Sequence, residues 1–387
     1  MRTLAGQAIA RCLELAQCSE EPGRITRTFL SHPMRKVHEL VGAWMREAGL
    51  NVSIDAAGNI RGVRGSPVDR LIIGSHLDTV PNAGAYDGIL GVVLGIALAS
   101  VTEGPLAVVG FSEEEGVRFG VPFIGSRAVA GTCQVLLDCD GRIAEAIRAF
   151  GFDPSRIREA RMQGAAYFEI HIEQGPVLEH LGLPLGVVDA IAGQSRWAVT
   201  FTGAANHAGT TPMHLRRDAL GCAAEWIVAV QQVAGQIEGL VATVGRCEVE
   251  PGAGNVVPGR VKTSLDVRHK DDPQRGRAVE RILRLAQEIG ARQGIAVDVA
   301  EMLNAAATPM NAALTERLSQ ASSVYAPHVM TSGAGHDAMV MAEVMPVAML
   351  FLRSPGGISH HPDESVLIED VEAALECGKR FVESWNG

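Results

Sequence analysis

A chain of 387 residues, 47% of them hydrophobic, exceeds the roughly 250–300 residues at which a single core stops growing, so two domains are expected. Its formal net charge of -10 disfavours nucleic acid and anionic membranes as partners, though it leaves room for a local pocket for a small anion. Seven cysteines, odd in number and without a CxxC pair, argue against a disulfide framework, and no apolar run reaches the roughly 20 residues of a membrane span.

The opening MRTLAGQAIARCLELAQ lacks the apolar stretch and small-residue cleavage site of a secretory signal and reads as an amphipathic helix, so a cytoplasmic location is expected. From Ser31 to Leu50, Val37, Leu40, Val41, Trp44 and Met45 recur at helical spacing between Pro33 and Gly49, which predicts a second helix. VSID and NIRGV read as short strands and LIIGS as an apolar one. A loop through Asp87 follows, then a buried helix over 89–101 and the buried-type strand PLAVVGF. This alternation of strand and helix predicts an α/β sheet covered on its faces. YFEIHIEQG alternates, with Phe168, Ile170 and Ile172 on one face and Glu169, His171 and Glu173 on a polar face.

Between Ser195 and about Ala306 the order becomes β-α-β-β-α-β, with strands RWAVTFTG, LVATVGRCEV, RVKTSLDVRH and IAVDVAEML. That is the split βαβ, ferredoxin-like arrangement. The chain then resumes with a helix from about Asn311, the strand VAMLFLR, a glycine-rich loop and a terminal helix over Ile368 to Trp385. The expected organisation is a discontinuous catalytic domain, 1–194 with 307–387, built on a mostly parallel sheet, and an inserted domain, 195–306.

The residues able to do chemistry collect after the apolar strands. His76 and Asp78 follow LIIGS in GSHLDTV; Asp87 precedes the apolar helix; Glu113, Glu114 and Glu115 follow PLAVVGF; His360 and His361 lie in GGISHHPDE. Carboxyl ends of strands are where open α/β sheets place their sites. Each signal alone has a plain alternative: a polar loop for His76 and Asp78, a helix N-cap for Asp87, a solvated turn for the three glutamates, a structural histidine for His171. Crowded carboxylates repel unless a cation neutralises them, and five nitrogen and oxygen ligands spread over four strand-end loops suit zinc or manganese. His38-Glu39 lacks the second histidine of an HExxH zinc helix, because position 42 is Gly42. GAGHDA at 333–338 lacks the βαβ unit of a dinucleotide loop, and Gly335 and His336 are taken instead as substrate contacts.

Taken in order, GSHLDTVPNAGAYDGILG, FSEEEGVRF, HIEQGPVLE, FTGAANHAGTTPM, NVVPG, SLDVR, GAGHDA and GGISHHPDE form a set spanning nearly the whole chain. It resembles the hydantoinase/carbamoylase branch of the dinuclear-metal aminoacylase and carboxypeptidase family, which includes allantoate amidohydrolase, N-carbamoyl-L-amino-acid hydrolase and beta-ureidopropionase. The resemblance implies two divalent ions, Zn2+ or Mn2+, with His76 and His171 on the first, Glu115 and His360 on the second and Asp87 bridging. It implies Glu114 as general base. Asp78, two residues past His76, reads from its position as a catalytic-site carboxylate that accepts a hydrogen bond from a neighbouring ligand or orients the site. By the same resemblance the inserted domain is a lid that forms a homodimer and supplies His207, Asn255 and Arg268, with Gln174 also at the substrate. The implied substrate is a small ureido carboxylate, allantoate first and N-carbamoyl-L-amino acids second, with a dipeptide or acylated amino acid as remoter choices. A scaffold that had lost activity should have lost ligands, whereas all five positions and Glu114 are intact.

Overall fold

The structure, a computed structural model, describes residues 1–133 and 141–385. The chain divides into two compact units, Met1–Asp189 with Met310–Gly387, and Ala190–Pro309.

The first unit is built on strands β1 (Asn51–Ile54), β2 (Ile60–Arg64), β3 (Leu71–His76), β4 (Leu106–Phe111), β5 (Ala166–Ile172), β6 (Leu185–Ile191), β14 (His328–Ser332) and β15 (Val347–Leu352). They lie side by side in the order β1-β2-β4-β3-β5-β15-β6, with β14 also on β6. β4, β3, β5 and β15 run parallel, while β1, β2 and β6 join antiparallel. The sheet is therefore parallel at its centre and antiparallel at both flanks. Every residue of the four central strands is buried, which is why they read as continuous apolar runs. The polar face expected for the YFEIHIEQG strand is consequently not solvated. β5 sits between β3 and β15, and Glu169 and His171 are 0% and 2% exposed. Alternation marked the two faces correctly, but solvent reaches neither.

Helices Arg2–Ala16, Met34–Glu47, Ile89–Val101, Ala312–Ala321 and Ile368–Trp385 pack with this sheet. Met34–Glu47 is shorter than the apolar pattern over 31–50, because Pro33 takes the N-cap position. Ile89–Val101 is apolar all round and buried from Ile89 to Ala99, each large side chain contributing roughly 1.5–3 kcal/mol of burial. Its N-cap is Gly88 and no side chain caps it, so Asp87 does not serve as the cap. Among the described residues no helix is long and apolar enough to cross a membrane.

The second unit contains β7 (Gly193–Thr202), β9 (Val241–Glu250), β11 (Arg260–His269) and β12 (Ala296–Ala305), with helices Ala219–Ala234 and Asp272–Gln293. The strand order β12-β7-β11-β9 is antiparallel throughout, the ferredoxin-like arrangement. Asp218 and Asp271 cap the two helices through Leu220, Gly221 and Gln274 amides, and β11 alternates between buried and half-exposed positions beneath them. A two-residue ribbon, β8 (Asn206–His207) with β10 (Val256–Val257), and the short β13 (Thr308–Pro309) complete the strands. The units part at 189/190 and 309/310, against 194/195 and 306/307 expected. β6 runs into β7 with only Ala192 between them, so no linker composition marks the boundary.

Candidate metal centre

Because β3, β4, β5 and β15 are parallel, their carboxyl ends share one edge of the sheet. His76 closes β3, His171 is the penultimate residue of β5, the Ser112–Glu115 turn leaves β4, and the glycine-rich loop carrying His360 leaves β15. Asp87 enters from the loop before the apolar helix.

These side chains meet in two groups that share Asp87: His76, Asp87 and His171, and Asp87, Glu115 and His360. Asp87 Oδ1 lies 3.2 Å from His171 Nε2 and 3.7 Å from His76 Nε2. Its other oxygen, Oδ2, lies 3.2 Å from His360 Nε2, which is 3.4 Å from Glu115 Oε1. One carboxylate thus turns an oxygen toward each group.

The tautomers sharpen the point. His171 Nδ1 is 2.9 Å from the Ile172 carbonyl, and His76 Nδ1 is 3.1 Å from the Asp78 carbonyl. Only an N–H can bridge these distances to an acceptor, so each ring carries its proton on Nδ1 and offers Nε2 toward Asp87 Oδ1. Asp87 Oδ1 and His171 Nε2 are both buried without a hydrogen-bond partner. Two orphaned acceptors facing one another at 3.2 Å repel unless a cation or a proton lies between them. The donor set therefore fits a metal.

The electrostatics follow from the same crowding. Burial alone would raise the Asp87 carboxyl, yet the His360 hydrogen bond and the His171 and His76 charges pull it below the ordinary range. His360, bonded to Asp87 and Glu115, is raised to about 10. Burial pulls His76 down, but Asp78, Glu114 and Asp87 together carry it well above its usual value. Burial lowers His171. Histidine protons thus balance the carboxylates in the absence of cations, and metal binding displaces such protons.

The three adjacent glutamates do three different things. Glu113 turns inward, accepts from the Phe29 amide at 3.1 Å, and is pushed up to about 9 by burial beside the Asp78 charge. Glu114 is 8% exposed and raised well above the ordinary range, by burial first and with Glu115 and Asp337 adding to it against His76. Glu115 joins His360. Asp78 holds this turn: its two oxygens accept from the Glu114 amide at 3.0 Å and the Glu115 amide at 3.1 Å, while Oδ1 lies 3.5 Å from His76 Nδ1.

Gln174 donates to Asp87 Oδ2 at 2.9 Å and to Ser359 Oγ at 3.2 Å, so its amide is engaged with Asp87 where a substrate contact was expected. His336, also expected at the substrate, is 1% exposed. Its Nε2 lies 2.8 Å from Ser332 Oγ and its ring packs edge-on against His171 at 4.6 Å. Gly335 lies beside Glu114, a Cβ there falling 3.9 Å from Glu114 Oε1.

The remaining expected residues lie in the second unit. His207 is exposed, and its Nδ1 accepts from the Gly209 and Thr210 amides at 3.0 and 3.2 Å. It pairs with Val256 across the small ribbon, and the Asn255 carbonyl accepts from the Ala208 amide at 2.9 Å, which brings the ANHAG and NVVPG motifs together. Arg268 is gripped by Asp266, Nε to Oδ1 at 2.8 Å and Nη2 to Oδ2 at 3.1 Å. With its amide oxygen turned toward the guanidinium, Gln194 accepts from Nη1 at 2.7 Å. The fork is held in one plane.

Three contributors escaped the sequence reading: Gly88, Ser359 and Glu364. Gly88 has φ +72, and a Cβ there would lie 2.4 Å from the His76 ring. Gly88→Ala combines backbone strain of about 1–3 kcal/mol with displacement of that ring. Divalent-cation affinity is expected to fall about tenfold or more, read by calorimetric titration; unchanged affinity would show that the ring position does not matter.

Residues 72–384 match Peptidase family M20/M25/M40. The chain is 38% identical to a probable allantoate deiminase of Oryza sativa subsp. japonica, covering 96% of this chain and 86% of that one. It is also 38% identical to an N-carbamoyl-L-amino acid amidohydrolase of Geobacillus stearothermophilus, covering 95% of each. The crystal structure of an amidase of the hydantoinase/carbamoylase family from Burkholderia multivorans superposes with a TM-score of 0.90 at 31% identity, covering 98% of this chain and 97% of that one. The chain therefore belongs to this hydrolase family, Peptidase family M20/M25/M40, in its hydantoinase/carbamoylase branch.

Proposed function

We propose that the protein is a metal-dependent amidohydrolase that cleaves the ureido C–N bond of a small carboxylate substrate, with allantoate the preferred one. The observation that carries this reading is the single buried carboxylate of Asp87, one oxygen toward His76 and His171 and the other toward His360. His76 and His171 would hold one divalent ion, Glu115 and His360 a second, and Asp87 both; nitrogen and oxygen ligands of this kind suit Zn2+ or Mn2+. Bound there, such ions supply a water of lowered pKa and polarise the scissile carbonyl.

The chain's own contribution centres on Glu114. Its backbone is fixed by Asp78, and its raised pKa suits a group that must accept a proton and then give it up. Glu114 takes the proton as water adds to the ureido carbon and returns it to the nitrogen that leaves when the C–N bond breaks. The carbamate released decomposes to ammonia and carbon dioxide. His207 is assigned to the developing oxyanion and Arg268, with Asn255, to the substrate carboxylate. These chemistries suit a histidine, a planar guanidinium held by Asp266 and an amide that both donates and accepts.

The ureido group and the carboxylate are common to allantoate and N-carbamoyl-L-amino acids, and relatives bearing each name match at the same identity. Allantoate is placed first because SHPMRKVHELVGAWMREAGL, IAGQSR and MLFLRSPGGISHHPDES look most like the allantoate enzymes. Ammonia release should be measured on allantoate, N-carbamoyl-L-amino acids and beta-ureidopropionate, and release of free amino acids on dipeptides, with added Mn2+ or Zn2+. Allantoate is expected to lead by about tenfold or more in kcat/KM, with activity lost to a chelator and restored by metal. A lead for an N-carbamoyl amino acid selects the second reading; no ammonia from any ureido substrate overturns both.

A further inference from the structure

The loop that carries His360 is held locally by the Gly357 amide on the Ser354 carbonyl and by the Asp363 and Glu364 amides on His361. Gly356 and Gly357 adopt positive φ, His360 itself has φ +55, and its side chain is 49% exposed. Yet its Nε2 must meet Asp87 Oδ2 and Glu115 Oε1 at once. Four residues further on, Glu364 is only 5% exposed, an unusual place for a carboxylate unless it is well bonded.

Its partners lie on the loop of the shared ligand. Glu364 Oε1 accepts from the Tyr86 amide at 2.8 Å and from the Asp87 amide at 3.0 Å. Oε2 lies 3.4 Å from Ser359 Oγ, and Ser359 Oγ also donates to Asp87 Oδ2 at 3.0 Å. Gly84 makes the fit possible: a Cβ there would sit 2.3 Å from Glu364 Cβ and 2.5 Å from its carboxyl carbon. The residues on either side of His360 therefore grip the backbone and the side chain of Asp87.

We propose that Glu364, with Ser359, is a positioning clip that docks the His360 loop onto the Asp87 loop and thereby sets the second cation site, that of Asp87, Glu115 and His360. This rests on the metal-centre reading above. The clip works through acceptance of two backbone N–H groups, which a glutamine side-chain carbonyl also provides, so charge is not what it supplies. The first site, His76 and His171 with Asp87 Oδ1, is built from β3 and β5 and should feel the clip less.

The test is calorimetric titration of metal-free protein with Mn2+ alone, beside metal-free Tm. Wild type should take up two ions. Glu364→Ala should weaken one binding event by about 10- to 100-fold and leave the other nearly unchanged, while Glu364→Gln behaves like wild type. Ser359→Ala and Gly84→Ala, which perturb the clip from its two sides, should weaken the same event, and they keep the question open to measurement if Glu364→Ala fails to fold. Wild-type affinity at both sites in all three disrupting variants overturns the clip and leaves the metal centre standing. Equal weakening of both events with a lowered metal-free Tm overturns it in favour of a general structural role. A wild-type protein that binds no Mn2+ overturns the metal-centre reading, and the clip with it.

Discussion

Asp87→Ala is expected to abolish tight binding of both divalent ions and to reduce kcat/KM by about 10³-fold or more, equivalent to about 4 kcal/mol of transition-state stabilisation. No other side chain of the site belongs to both groups formed around it. Losing Oδ1 leaves His76 and His171 without the anion they face, and losing Oδ2 frees His360, Gln174 and Ser359 together. The consequence for stability separates this from ordinary unfolding. The metal-free variant also loses the hydrogen bonds that Asp87 Oδ2 accepts from Gln174 and Ser359, so its own Tm falls and the diagnostic is the change in Tm on adding metal. Wild type should gain about 2.7 kcal/mol of stability per bound ion at a hundredfold excess over Kd, seen as a higher Tm, and the variant should not. Metal content after dialysis and a thermal melt with and without Mn2+ check both points. A variant that keeps two ions and the metal-dependent rise would remove Asp87 from the centre.

The residues that converge here were legible because each stands at a break in an apolar run. His76 ends LIIGSH, the three glutamates follow LAVVGF, and His360 comes shortly after VAMLFL. Parallel strands put such breaks on one edge, so a hydrophobic pattern that specifies the sheet also specifies where its polar termini meet. The terminal helix over Ile368–Trp385 and the four-stranded second unit were legible for the same reason, since their apolar periods are regular.

What stayed hidden acts through the backbone or through empty space. Glu364 works by accepting from the Tyr86 and Asp87 main-chain amides, and every residue but proline offers such an amide, so no partner type appears in the sequence to announce it; Asp78 was legible as a site residue, but not its grip on the Glu114 and Glu115 amides. Gly84 and Gly88 matter for the side chain they make room for, which only the folded chain supplies. Gln174 and His336 were read as substrate contacts from their motifs, yet one is bonded to Asp87 and the other is buried against His171. A motif marks proximity to a site without naming the atoms a residue bonds there.

Glu114→Gln isolates the proton-transfer step from the assembly of the centre. The turn around residue 114 is held by its own amide and that of Glu115 on the Asp78 carboxylate, and neither bond involves the Glu114 side chain. Glutamine matches glutamate in shape but cannot take a proton at neutral pH. The variant should therefore bind both ions and substrate with Kd and KM within about threefold of wild type, while kcat falls by about 10²- to 10⁴-fold. Asp78→Asn should behave differently, because losing one of two acceptors loosens the turn that carries Glu115 as well as Glu114. There cation affinity should drop about 10-fold or more along with kcat. Stopped-assay ammonia release and calorimetric titration of the same preparations separate the two patterns. Full turnover in Glu114→Gln would falsify the base assignment, and unchanged cation binding in Asp78→Asn would show that the turn holds its place without that carboxylate.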